Sequence, residues 1–182
     1  MPGSALRSSL QNTHAPQIVA LRILLAQDIC YMDQIDRLIL RELQRSCRLT
    51  NVELAQRVNL SESATLRRVR ALENDGVISQ YVALLNANKA GFPTNVFVSI
   101  TLNCQDYEDL QAFEASVRKV PEVMECYLMT GSSDYLLRVV CRDAADFERL
   151  HTQHLTRLPG VARVQSSFSL RVVRRSTELP IE

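Results

Sequence analysis

Two periodicities divide the chain. In the first part, apolar residues recur at intervals of three and four, as on a helix with one buried face; from Asn95 they alternate, as on a strand. Ile35, Leu38, Ile39 and Leu43 form the stripe of a helix expected over 33–46, capped by Asp33, with Asp36 adding favourable charge in its first turn. A second helix opens at Thr50, and Glu53 three residues on completes a capping box; Val52, Leu54, Ala55 and Val58 are its apolar positions. Asn59-Leu60 makes a turn, and Ser61 caps a third helix that carries Leu66, Val69 and Leu72 on one side. Asn74-Asp75-Gly76 stops it, the glycine supplying a left-handed C-cap. Val77 to Leu85 reads as a strand and linker. Asn86-Ala87-Asn88 and Gly91-Phe92-Pro93 are the turn punctuation of a domain boundary.

Beyond it, Val96, Val98, Ile100 and Leu102 share one face of a strand. A helix follows over 107–119, with Leu110, Phe113 and Val117 inward, ended by Pro121. Strands at 123–130 and 135–141 flank the turn Gly131-Ser132-Ser133-Asp134. Asp143 caps a helix carrying Phe147, Leu150 and Leu155, stopped by Pro159-Gly160, and Val164, Phe168, Leu170 and Val172 alternate along a last strand. The expected class is therefore α+β: an N-terminal helix-turn-helix (winged-helix-like) domain, then a ferredoxin-like βαββαβ domain. The expected partition is 1–31 as an N-terminal extension, 32–91 as helical domain and linker, and 92–182 as the second domain.

Composition narrows the class. With 182 residues, 46% hydrophobic and 23% charged, the chain is long enough for one large or two small domains with a real core, and its net charge of +1 advertises no global attraction to nucleic acid. Residues 32–91 hold nine Lys/Arg against seven Asp/Glu, whereas 92–182 hold ten against twelve, so the small basic excess lies in the helical half. Five cysteines without a C-x-x-C pair point to free thiols in a reducing cytoplasm. His151 and His154 have no companion ligands at a zinc spacing, no catalytic set stands out, and no phosphate-cradling glycine loop is present. Neither a cofactor, a metal nor an enzymatic activity is expected. Residues 1–31 are expected to be disordered or a short helix; the run Ile18–Leu25 is too short to span a membrane and lacks a signal-peptide cleavage site.

The helix pair from Thr50 to Ile78 has the order of a helix-turn-helix, in which the first helix braces the second for insertion into a DNA major groove. Its candidate DNA contacts are Ser61, Ser63, Thr65, Leu66, Arg67, Arg68 and Arg70; arginine suits the task because its fork matches guanine edges and phosphates. An arginine cluster alone would equally suit a solvated helix face; box, turn, cap, arginines and glycine stop together are more specific.

The runs MDQIDRLILREL and RLTNVELAQRVNLSESATLRRVRALENDGVISQY resemble the DNA-binding half of the Lrp/AsnC family, the feast/famine regulators. The stretch TGSSDYLL, Thr130 to Leu137, resembles that family's effector motif, and SSFSLRVVRRSTELP is similar to its leucine-responsive branch. The resemblance spans about residues 32 to 180, and Met32 stands where family chains usually begin, so translation from Met32 is one reading of the extension. It implies a cytoplasmic, nucleoid-associated regulator of transcription that binds double-stranded DNA and a free amino acid. It also implies dimers assembled into tetramers or octamers. The candidate effector residues are Thr130, Gly131, Ser132, Asp134 and Tyr135. A glycine turn can offer N–H groups to a carboxylate and Asp134 can face an ammonium, although a plain β-turn favours the same residues. The resemblance implies binding at this hairpin between dimers and favours leucine or methionine. Met129 and Leu137 are candidates to line its side-chain pocket. Two rival readings remain at this point: a DNA-wrapping architectural protein without an effector, and a small ferredoxin-like enzyme with an appended helical domain.

Overall fold

The computed structural model describes residues 32–182, so the extension over 1–31 lies outside the described residues. Three helices come first: α1 (Gln34–Arg45), α2 (Asn51–Val58) and α3 (Glu62–Asn74). Each starts where a short polar side chain takes up an N–H that the helix itself leaves unpaired. At α1 the Asp36 N–H donates to Asp33 at 2.8 Å while the Asp33 N–H donates to Asp36 at 3.2 Å. Thr50 and Glu53 make the same reciprocal pair on α2, at 3.2 and 2.8 Å. Ser61 caps α3 by accepting from the Ala64 N–H at 3.3 Å. Asn59, at φ 54°, makes the left-handed turn into α3, and Gly76, at φ 73°, ends it. Ile39, Leu40, Leu54, Val58 and Leu72 form the buried core of this helical unit.

The strand expected within 77–85 is not formed. Val77 and Ile78 pack on the helical core, and residues 79–86 run without regular structure. A strand exists only where a neighbour completes its ladder, and no described strand of this chain pairs with the segment. The punctuation after it is real: the Ala90 N–H returns to Asn86 O at 2.9 Å and the Phe92 N–H to Ala87 O at 2.8 Å.

The second unit follows the βαββαβ order: β1 (Thr94–Leu102), α4 (Tyr107–Val117), β2 (Val123–Leu128), β3 (Tyr135–Cys141), α5 (Ala144–Gln153), a short 3-10 turn and β4 (Val161–Phe168). The sheet order is β2-β3-β1-β4 with every pairing antiparallel, the ferredoxin-like arrangement. Val96, Val98 and Ile100 of β1 and Tyr135, Leu137 and Val139 of β3 are buried on one face, together with Phe113 of α4 and Leu150 of α5. The alternation read from the sequence is this face. Strand β4 stops at Phe168 rather than running on through Val172. The reason lies in its partner. The Ser169 N–H reaches Asn95 O at 3.0 Å, but β1 begins at Thr94 after Pro93 and offers nothing further to pair with. Leu170 is accordingly 99% exposed.

Packing divides the described chain into residues 32–81 with 177–182, and residues 82–176. This differs from a single cut after residue 91. Segment 82–91 puts no apolar side chain among the helical-core residues, whereas Ile181 packs there.

Phe113 is fully buried, so Phe113→Ala should destabilise the second unit by about 3–5 kcal/mol, and Thr50→Ala the helical unit by about 1 kcal/mol; urea unfolding measures both. The helical unit should also be acid-sensitive. The Asp36 N–H and Arg68 hold the Asp33 carboxyl below its ordinary range, Arg57 does so for Glu42, and Thr50 for Glu53. Depressed values mean stability that is full above the ordinary carboxyl range and lost as pH falls through the folded values. The unfolding midpoint should therefore drop below about pH 4 and stay flat from pH 6 to 8.

Candidate functional site

Helix α3 has two unlike faces, set by residue spacing. Ser63, Arg67 and Arg70 lie at i, i+4 and i+7, hence on one face, and all three are exposed, as is Ser61 at the cap. Thr65, Arg68 and Leu72 lie on the opposite side. Thr65 is fully buried and its hydroxyl donates to Ser61 O at 3.0 Å. Leu72 is in the core. Arg68 turns back to the start of α1, where one guanidinium nitrogen donates to Asp33 at 2.7 Å and to Asp36 at 2.8 Å. The hydrogen bonds it donates to Asp36 and Asp33 raise its already high pKa. Of the seven expected DNA contacts, the structure thus brings Ser61, Ser63, Arg67 and Arg70 to an open surface. It turns Thr65 and Arg68 inward as braces. Leu66, 39% exposed, lines a surface cleft of about 250 Å³ with Cys47, Val69 and Tyr81. Tyr81 closes one side by donating to Glu73 at 2.9 Å, and burial, then this hydrogen bond, push its pKa up to about 12. Sequence spacing did not reveal the cleft, because Tyr81 lies beyond the last helical repeat.

In the hairpin between β2 and β3 the five candidate effector residues take two different environments. Thr130, Gly131 and Ser132 are exposed at its tip. Gly131 sits at φ 144°, a conformation side chains rarely adopt. Asp134 and Tyr135 point the other way. Asp134 is only 8% exposed, and its carboxylate accepts from the Leu102 N–H at 2.7 Å and from Gln105 at 2.6 Å. The cause is topological. Strand β3 begins at Tyr135, and the β1–β4 register shifts between Thr101 and Leu102. Past Ile100, β1 therefore has no strand on its β3 side, and the Asp134 side chain takes the Leu102 N–H in place of a ladder carbonyl. Meanwhile Asp134's own N–H and C=O pair with Ile100 and Met129 at 2.8 Å each. Tyr135 is in the core, stacked on Phe113 at 4.4 Å, with its hydroxyl donating to Glu114 at 3.0 Å. Burial and Glu114 both raise its pKa. Leu137 is fully buried in the same core, while Met129 stays 41% exposed beside the tip. Gln105 and Glu114, the polar partners of the two buried residues, carried no sequence signal, since each lies in a different element from the motif.

Among the described residues, one further group of potential ligands, Cys104, Asp106 and Asp109, has its donor atoms within 4.8 Å of one another. No described helix is long and apolar enough to cross a membrane.

Both units match known protein families. Residues 32–79 match the family model of a winged helix-turn-helix DNA-binding domain, and residues 95–179 that of an Lrp/AsnC ligand binding domain. The Leucine-responsive regulatory protein of Salmonella typhimurium is 42% identical over 151 residues, covering 83% of this chain and 92% of its own. The Bkd operon transcriptional regulator of Pseudomonas aeruginosa is 42% identical over 150 residues, 82% of this chain and 98% of its own. A transcriptional regulator of Neisseria meningitidis, solved as its L-Met complex, superposes with a TM-score of 0.78 at 39% identity, covering 82% of this chain and 97% of that one.

Because Asp134 alone receives the buried Leu102 N–H, Asp134→Ala should destabilise the second unit by about 1–3 kcal/mol in urea unfolding, the usual cost of an orphaned buried donor. Arg68→Ala should lower the melting temperature of the helical unit, while Arg67→Ala, on the open face, should leave it unchanged within about 0.5 kcal/mol.

Proposed function

The chain belongs to the Lrp/AsnC family of transcriptional regulators, and from that premise we propose that it binds specific double-stranded sites and adjusts that binding to a small apolar amino acid, leucine or methionine. The observation that carries the DNA half is the two-faced α3. Its inner face is occupied by core and ion-pair contacts, which leaves Ser61, Ser63, Arg67 and Arg70 as an exposed polar surface with fixed orientation. Phosphate contacts from the serines and the helix N-terminus would set register, and Arg67 and Arg70 would read bases or nearby phosphates. Leu66, at the margin of that face, is a candidate for apolar contact with a thymine methyl.

For the effector, the exposed Thr130-Gly131-Ser132 tip is the surface offered to the amino-acid carboxylate. The Asp134 carboxylate, already accepting two hydrogen bonds, has lone-pair capacity left for an ammonium approaching from the tip side, and it shapes the turn in either case. Tyr135 supports from below. Met129, beside the tip, suits an aliphatic or thioether side chain. The L-Met complex of the Neisseria regulator and the leucine-responsive relatives support this ligand class.

Assembly into at least a dimer fits the exposed apolar residues outside the two cores. Val82, Leu84 and Leu85 are 53%, 65% and 74% exposed in a segment that lacks a pairing partner. Phe97 and Tyr127, 40% and 51% exposed, lie on the sheet face opposite the helices. A two-fold dimer would present two copies of α3 to half-sites about one helical turn, or a multiple of it, apart. This reading places the protein in the cytoplasm, at the nucleoid, without a catalytic role.

Three measurements test the reading. Sedimentation at micromolar concentration should give a dimer or larger; a monomer with and without DNA would contradict it. Arg67→Ala should weaken binding to a selected operator by about 1–3 kcal/mol, and unchanged affinity in both the Arg67→Ala and Arg70→Ala proteins would sink the interface. In a thermal-shift screen of the twenty amino acids, leucine or methionine should raise the melting temperature of the parent. Asp134→Ala should remove that shift while the ligand-free variant still binds DNA.

A further inference from the structure

The last residues of the chain do not pack with the strand they follow. Residues 177–182 belong with the helical unit, and every residue from Leu170 to Pro180 is exposed. Ile181 is the exception. It is partly buried and packs against the helical core of Ile39, Leu40, Leu54, Val58 and Leu72.

The contacts on either side of Ile181 have the character of peptide recognition. The Gln44 side-chain amide reads both main-chain groups of one residue: the Leu179 N–H donates to its oxygen at 2.6 Å, and its nitrogen donates to Leu179 O at 3.3 Å. Arg37 donates to the main-chain oxygen of Glu182 at 2.6 Å. Gln44 and Arg37 are seven residues apart, two turns of α1, so they stand on one face roughly 10 Å apart along the axis. Three extended residues span at most about 11 Å, so one tail segment reaches both. The tail is also pre-shaped. Pro180 disfavours the helical conformation at Leu179 and fixes its own φ, so part of the ordering cost of docking is already met in the undocked chain. The Ile181 N–H then bonds to Leu179 O at 2.9 Å, a tight turn within the docked segment.

We propose that Leu179-Pro180-Ile181 is a docking strap and that the outer face of α1 is its built receptor. Gln44 and Arg37 hold the main chain, and an apolar socket takes the isoleucine. The strap gives the two units a second link. The first is the chain after Tyr81, which leaves the helical unit behind α3; the second is residues 169–176, which return to α1. A docked strap gives the chain a second point of entry to the DNA-binding unit, and the short second linker keeps the strap at high effective concentration. The strap therefore carries part of the coupling between effector and DNA. That last step rests on the amino-acid response proposed above, whereas docking itself does not.

The test uses the full chain, its Ile181→Asp and Gln44→Ala variants, and Ile181→Val as the conservative control. Hydrogen exchange of the C-terminal peptide reports docking. Exchange should be slowed at least tenfold in the parent and in Ile181→Val, and the slowing should be lost in Ile181→Asp and weakened in Gln44→Ala. An unprotected C-terminal peptide in the parent overturns the strap. Operator affinity with and without methionine or leucine reports coupling. Ile181→Asp should bind DNA without amino acid to within about threefold of the parent, yet lose at least half of the effector-induced change, and Ile181→Val should restore it. Full response in Ile181→Asp overturns the coupling role. No response in the parent overturns the effector reading instead, and leaves exchange to decide the strap.

Discussion

Everything the helical unit does depends on how α3 is held. A helix can present a reading surface only if its opposite side is fixed, and here apolar packing and ion pairing share the fixing. Leu72 enters the core, Thr65 closes on Ser61 O, and Arg68 joins α3 to both carboxylates of the α1 capping box. The arrangement couples two local events. Asp33 and Asp36 first organise the start of α1 by bonding to each other's main chain. The same carboxylates then clamp α3. Arginine suits the position because it remains charged at any physiological pH and offers several donors in a fixed plane.

The ferredoxin-like unit solves a comparable problem with a carboxylate. Its β2–β3 hairpin has an exposed tip on a firm base. Asp134 supplies the base where β3 has run out, and Tyr135 anchors the next position under Phe113 with its hydroxyl on Glu114. Buried polar groups of this kind are stabilising only when their partners are in place. Residues of the motif therefore divide into a displayed set, 130–132, and a supporting pair, 134–135. On α3 the side chains that hold the surface interleave with those that form it, whereas in the hairpin the two sets follow one another along the chain.

Much of this was legible in the sequence. The cap at Asp33, the capping box at Thr50, the Asn59 turn and the Gly76 stop are local rules, and each is met in the structure; that Asp36 closes a full box at Asp33 is the structure's addition. The alternation in β1 and β3 fixed the buried face because a period of two leaves no choice of side. Less local matters could not be read. Arg67 and Arg68 are adjacent and chemically identical, and only the position of α1 decides that one faces outward while the other braces. The supporting role of Asp134 was not legible, because the missing ladder partner of Leu102, which fixes its orientation, arises from the register of three strands. The strand expected at 77–85 and the overlong β4 share a cause: propensity proposes a strand, but only a neighbour creates one. The return of the tail to α1 was hidden because Ile181 is a single apolar residue in a polar, proline-containing segment.

If α3 is divided into a reading face and a bracing face, its arginines must differ in the salt dependence of operator binding, whose slope counts phosphate-neutralising charges independently of the fold's stability. The slope of log K against log salt should fall by about 1 in Arg67→Ala or Arg70→Ala, whichever of the two contacts phosphate, while Arg68→Ala should keep the parental slope and melt earlier. A reduced slope in Arg68→Ala, with parental slopes and affinities in both Arg67→Ala and Arg70→Ala, would contradict it.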